Sequence, residues 1–289
     1  LGGIRAIAWT DVIQGGVLMV GFFVLLALLF DQFGPLSAAT ERIAASPDAF
    51  KVSRPSPALL REWLSYILVL GMGAALYPQA IQRIYAAKST RTMNRSLAIM
   101  AFLPFTTALI AVITGIYALA YVPGLEGAAT DQVLARLLRI IQENSLLGYA
   151  VVVLIFSAVL AALMSTADSA MLSISSMFTK DIYGVHVNPG ARESELTKIG
   201  KRCSWVVVGA LVVLAILLKN QASLIGLIDR KFDLLVQLVP AFMLGIHLPL
   251  LQKGPVLTGL VAGLVIALAL AFGPFDFVVA GKVWGLHPG

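Results

Sequence analysis

The sequence predicts an all-α polytopic membrane protein, and three observations carry that expectation. Hydrophobic residues fill 59% of the 289 positions and charged residues only 12%, with a mean hydropathy of +0.90, too little polar surface for a soluble globule of this length. The apolar residues fall into runs near the ~20 that cross a ~30 Å hydrocarbon layer as helix. The basic residues gather in short loops between those runs, so the formal charge of +6 reads as a topology signal in a lipid bilayer and not as a nucleic-acid surface. A single cysteine, Cys203, excludes an internal disulfide framework or a cysteine metal site.

The chain is read as one transmembrane domain over 1–289, with about seven spans at 7–30, 63–87, 97–122, 147–178, 203–218, 224–251 and 256–272. With Arg5 cytoplasmic, alternate loops put Arg83, Lys88, Arg91, Arg95, Lys180, Arg192, Lys198, Lys201, Arg202 and Lys253 on the same side. Asp31, Glu41, Asp48, Glu62, Glu126, Asp131 and Glu143 then face outward, which fixes the orientation.

The first span holds Asp11 near its cytoplasmic start, beside Trp9 and Thr10. An interfacial anchor and an ion-path carboxylate are both open readings there. A polar connection with Pro35, Pro47, Pro55 and Pro57 follows. The second span is interrupted by Gly71, Gly73 and Pro78 within Leu70-Gly-Met-Gly-Ala-Ala-Leu-Tyr77-Pro78-Gln79. Such a break either frees backbone groups for an ion or solute or is a packed proline kink. Between the third and fourth spans, 131–141 is amphipathic, with Val133, Leu134, Leu137, Leu138 and Ile141 on one side.

The fourth span is the most informative. Thr166, Ser169, Ser173 and Ser176 recur at helical spacing, with Ser165 and Asp168 beside them, inside an otherwise apolar run. Polar groups at that depth are expensive, so a neighbouring helix or a watery cavity is expected to face them. In the sixth span Pro240 makes a second break, and Asp229-Arg-Lys-Phe-Asp233 sits in its outer half, where Arg230 and Asp233 are spaced to pair. Gly259 and Gly263 in the last span read as a close-packing contact. His186, His247 and His287 lack the i, i+4 partner of a zinc helix and read as structural. No P-loop, G-x-S-x-G elbow or H-E-x-x-H is present, which leaves an enzyme without a motif.

Several stretches are familiar together: Gly2-Gly-Ile-Arg-Ala6 followed by Trp9-Thr-Asp-Val-Ile-Gln14, then Gln82-Arg-Ile-Tyr-Ala-Ala-Lys-Ser89, Met164-Ser-Thr-Ala-Asp-Ser169 running into Thr179-Lys-Asp-Ile-Tyr183, and Gln237-Leu-Val-Pro-Ala-Phe242. In order and spacing they resemble the sodium:solute symporter family over nearly the whole chain. The resemblance implies a leucine-transporter-type five-plus-five inverted repeat, of which this chain is the second half, without the N-terminal helices. It implies sodium-coupled symport of a small organic solute into the cell by alternating access, in the plasma membrane, as in a bacterial inner membrane. Sodium is then the coupling ion, with no other cofactor. The positions matching the family's sodium ligands are Ala162, Ser165 and Thr166, with Asp11 along the ion path. Asp168, one turn from Ser165, and Ser169 are read beside that path, where the Asp168 carboxylate either raises the negative potential for a cation, caps a helix break or is protonated. Those facing the solute are Gly71, Gly73, Tyr77, Gln79 and Gln237. Leu70 stands where proline symporters carry tryptophan, and no aromatic stands near Gly73 as in sugar symporters, which leaves a small carboxylate-bearing solute as the expectation. A symporter-like sensor module of a signalling protein is the alternative.

Overall fold

The structure is a computed structural model that describes residues 3–143, 146–218, 223–248, 251–272, 278–279, 282–284 and 286–288. Helix α1 (Gly3–Phe33) is followed by α2 (Leu36–Ala44), a 3₁₀ segment (Pro47–Val52), α3 (Pro57–Ala74), α4 (Pro78–Tyr85) and α5 (Thr90–Tyr121). After a second 3₁₀ segment (Gly127–Gln132) come α6 (Val133–Gln142), α7 (Leu146–Met177) with a π-helical extension (Phe178–Val187), and α8 (Glu193–Leu218). Helix α9 (Leu224–Leu235), a π-helical segment (Pro240–Leu244), α10 (Gly245–His247) and α11 (Lys253–Phe272) complete the helices. Strands β1 (Val278–Val279) and β2 (Lys282–Val283) pair antiparallel, Val278 opposite Val283.

Among the described residues five helices are long and apolar enough to cross a membrane, namely α1, α5, α7 with its extension, α8 and α11; α3 and α4 make a sixth when counted as one span bent by 44°. The protein is all-α and polytopic. The stretch 224–251 is not one continuous helix. Helix α9 stops at Leu235, and a turn and the π segment at Pro240 follow, because proline supplies no N–H and its ring crowds the preceding turn. Helix starts are set by serine: Ser56, Ser89 and Ser223 each accept a backbone N–H three residues on at 3.2 Å, and Pro57 follows Ser56 at the first helical position.

The chain divides into two compact units, Leu1–Val52 with Ala86–Gln221, and Ser53–Tyr85 with Ala222–Gly289. In the first, Leu25 and Leu29 of α1, Ile43 of α2, Tyr117 of α5, Ile155 of α7 and Leu137, Leu138 and Ile141 of α6 form one buried cluster. The apolar face predicted for 131–141 is thus spent on protein packing. Helices α1 and α7 approach closely at Gly21, where a Cβ would lie 3.1 Å from that of Ala158. The Tyr117 hydroxyl donates to the Gly34 carbonyl at 2.6 Å and that of Tyr121 to the Phe33 carbonyl at 3.1 Å, capping the end of α1. Elsewhere the helix surfaces are apolar and exposed, at Trp9, Phe102 and Trp205 for example, as a lipid-facing protein requires.

In the second unit α3 packs on α9 and α11 on α9. Gly73 makes the first contact possible: a Cβ there would lie 3.1 Å from Cδ1 of Phe232. The strand hairpin is tied to α3 by an ion pair from Lys282 to Glu62 and by the His287 N–H, which donates to Ser65 Oγ at 2.9 Å.

Candidate functional site

In the first unit, helix α7 is unbroken where its hydroxyls stand. The Thr166 hydroxyl donates to the Ala162 carbonyl at 3.1 Å, one turn back, as the i−4 spacing of threonine in a helix allows. The Ser165 hydroxyl donates to the carboxylate of Asp11 on α1. Three of the oxygens named from sequence, on Ala162, Ser165 and Asp11, belong to half-buried residues, while Thr166 is exposed. The neighbouring α1 residue Gln14 has a side-chain oxygen shut off from solvent with no hydrogen-bond partner among the described residues. Sequence reasoning passed over it, although it lies three residues from Asp11 on the same helix face.

Further along α7 the hydroxyls close on their own helix. Ser173 donates to the Ser169 carbonyl at 2.9 Å and Thr179 to the Ser175 carbonyl at 2.7 Å. Ser169, Ser173, Ser175 and Thr179 are buried. A cavity of about 380 Å³ opens between α1, α7 with its extension, and α8, and both readings expected for the stripe are realised in part. Thr10 and Asp168 line it together with Ser175, Ser176, Thr179 and Lys180, and α8 supplies Glu193, Thr197, Lys201 and Ser204. Asp168, one turn along from Ser165, is thus brought to a space that water and an ion can enter. Ser169 is not among its lining residues. The π extension is held to α8 by Glu195, which accepts from the Tyr183 hydroxyl at 2.8 Å and from Asn188 Nδ2 at 3.2 Å.

In the second unit the break between α3 and α4 gathers two of the five residues expected to face the solute. Gly73 is packed against Phe232, and the Tyr77 ring meets that of Phe232 edge-on, centroids 5.7 Å apart. Above both rings sits the Lys231 ammonium, 5.1 Å from the Tyr77 centroid and 4.7 Å from that of Phe232. Gly71 faces open space, and Gln79 is half-buried in the first turn of α4. Gln237 is engaged elsewhere: its Nε2 donates to the Asp233 carbonyl at 3.3 Å, and its oxygen lies over Gly263 of α11, 2.6 Å from where a Cβ would be. That contact explains Gly263 as a seat for an amide, whereas a Cβ at Gly259 would meet nothing.

The charged run 229–233 resolves into distinct parts. Arg230 Nη1 lies 3.0 Å from Asp233 Oδ2, with Asp233 only 1% exposed, and His287 Nδ1 is 3.5 Å from the other oxygen. The i, i+3 pairing was legible; the histidine, more than fifty residues on, was not. Lys231 was passed over as well. Lys231 is exposed, and its ammonium over two aromatic faces gains about 0.5–2 kcal/mol. The signal was present in the sequence, since the positions three and four residues to either side of Lys231 are Leu227, Ile228, Leu234 and Leu235, none of which can neutralise it.

A model of the sodium:solute symporter family matches residues 1–263. Relatives include the high-affinity proline transporter PutP of Bacillus subtilis, 25% identical over 91% of this chain and 54% of its own length. The sodium/glucose cotransporter of Vibrio parahaemolyticus is 25% identical over 95% of this chain and 55% of its own. The sodium/pantothenate symporter of Haemophilus influenzae is 26% identical over 68% of this chain and 39% of its own. The chain therefore spans about half the length of the curated relatives it matches. With the family's motifs spread across both units and its model covering nine-tenths of the residues, this chain belongs to the sodium:solute symporter family.

Proposed function

We propose that the chain forms the part of a sodium-coupled symporter that holds the coupling ion and one wall of the solute site. It works in the plasma membrane by alternating access, as one half of a five-plus-five inverted repeat, with the remaining ion ligands on helices outside residues 1–289. The observation that carries this reading is the pair of hydroxyl contacts, Ser165 to Asp11 and Thr166 to Ala162. A hard monovalent cation takes oxygen lone pairs, and each hydroxyl has already committed its hydrogen. Ser165 thus presents lone pairs to an ion. Ala162 does not, because its carbonyl accepts the helical N–H of Thr166 and the hydroxyl of the same residue, filling both lone pairs. Sodium enters by turning the Thr166 hydrogen off Ala162, which frees a lone pair on that carbonyl beside those the hydroxyl oxygen already presents. The Thr166 back-bond is a placeholder for the ion. From there Asp11 and Asp168 pass the ion into the cavity lined by Thr10, Ser176 and Lys201.

The test is the S165A/T166A double variant of the full-length protein in proteoliposomes. Sodium-stimulated uptake is expected to vanish while insertion is unchanged, since both side-chain ligands leave together. Unchanged sodium dependence would refute the site.

A further inference from the structure

We propose that Lys231 is the group that recognises the carboxylate of the transported solute, a small monocarboxylate held at the α3–α4 break. This rests on the symport reading above and names its substrate class.

Helix α9 carries two neighbouring cations with different fates. Arg230 is matched by buried Asp233 at 3.0 Å. Lys231 points to a different face of the helix, and among the described residues no carboxylate comes within ion-pair distance of it. Lys231 is exposed, and a long flexible lysine in such a place is free to extend its ammonium away from the protein. Here it lies instead against another element, over Tyr77 in the break and over Phe232 on its own helix.

The rings hold the charge without consuming its donors. An ammonium has three N–H groups, and a cation over a ring is attracted to the π face as a whole, so N–H groups remain for an anionic oxygen. The seat is also fixed from behind: Gly73 lets Phe232 close against α3, and Tyr77 meets Phe232 edge-on. Tyr77 itself stands in the bend of 44°, its N–H donating to the Ala74 carbonyl at 3.4 Å and followed by Pro78, which has none. One positive charge beside aromatic and aliphatic walls suits a solute with one carboxylate and an apolar body.

The experiment uses the full-length protein, solubilised in sodium-containing buffer, with L-proline, pyruvate, pantothenate and glucose as probes of a thermal-melting shift. At least one of the three carboxylates is expected to raise the melting temperature, and glucose is not. Lys231→Gln should weaken the responding carboxylate by about ten- to a hundred-fold, the loss of one charge-assisted hydrogen bond, and Lys231→Arg should restore most of it. Undiminished carboxylate affinity in K231Q, or a response to glucose without one to any carboxylate, would overturn the proposal. The melting shift with sodium alone separates the two readings. Its absence from the unmutated protein would count against symport itself, whereas an intact sodium shift in a K231Q variant that still binds carboxylate would count against Lys231 only.

Discussion

In the unit of residues 1–52 and 86–221 most hydroxyls of the unbroken helix α7 turn back onto that helix's own carbonyls, and Ser165 donates instead to Asp11 of α1. In the unit of residues 53–85 and 222–289 the charges of the short helix α9 are met by a neighbouring side chain or a second element. The difference follows from cost. A serine or threonine satisfies itself locally and leaves the helix intact, so a cluster of them can wait for a cation with little penalty. A guanidinium or carboxylate cannot satisfy itself, and it needs a partner placed by tertiary structure.

The largest expected departure tests the second half of that contrast. Removing the Asp233 side chain takes away the carboxylate that both Arg230, with its side chain only 17% exposed, and His287 approach, and breaking a buried pair from one side typically costs about 3–5 kcal/mol. D233A should therefore lower the melting temperature of the full-length protein sharply, while R230M/D233L, which removes both charges, should lose much less. Equal losses for the two variants would mean that packing and not charge burial governs this site.

Thr166 tests the first half. Thr166→Ser keeps the hydroxyl, and Thr166→Val keeps the shape while leaving Ala162 free of its second donor. The valine variant should raise the sodium concentration for half-maximal uptake about ten-fold or more, an effect near 1.4 kcal/mol, and the serine variant only slightly. If valine is tolerated as well as serine, the Thr166 hydroxyl makes no contact with the ion and its placeholder role is wrong.

How far the sequence went depended on the range of each interaction. Contacts within one helix turn were readable: Thr166 on Ala162, Arg230 with Asp233, and the apolar face of 133–141 all follow from spacing. The breaks at Pro78 and Pro240 were readable from covalent chemistry. Contacts between helices were not. Asp11 and Ser165 are 154 residues apart, and only the close packing of α1 on α7 joins them. Lys231 depends in the same way on α3 meeting α9 at Gly73. Gln237, which the resemblance placed toward the solute, donates to the Asp233 carbonyl of α9 and lies over Gly263 of α11, and the second of these contacts is between helices as well.

The smallest expected effect sets the lower bound of the contrast. Arg139 and Glu143 on α6 pair at 3.1 Å with the i, i+4 spacing also used by helical ion pairs in water, but their side chains are 79% and 64% exposed. Water and salt screen such a pair, and fixing two long side chains opposes what attraction is left. Arg139→Ala should cost only about 0.3–0.5 kcal/mol, a melting change close to the error of measurement and smaller still in high salt. The pair is as well formed in distance as Arg230 with Asp233, so a loss approaching that of D233A would show that geometry sets the worth of these ion pairs. A near-zero loss assigns that worth to burial, because the two pairs differ chiefly in how much solvent reaches them.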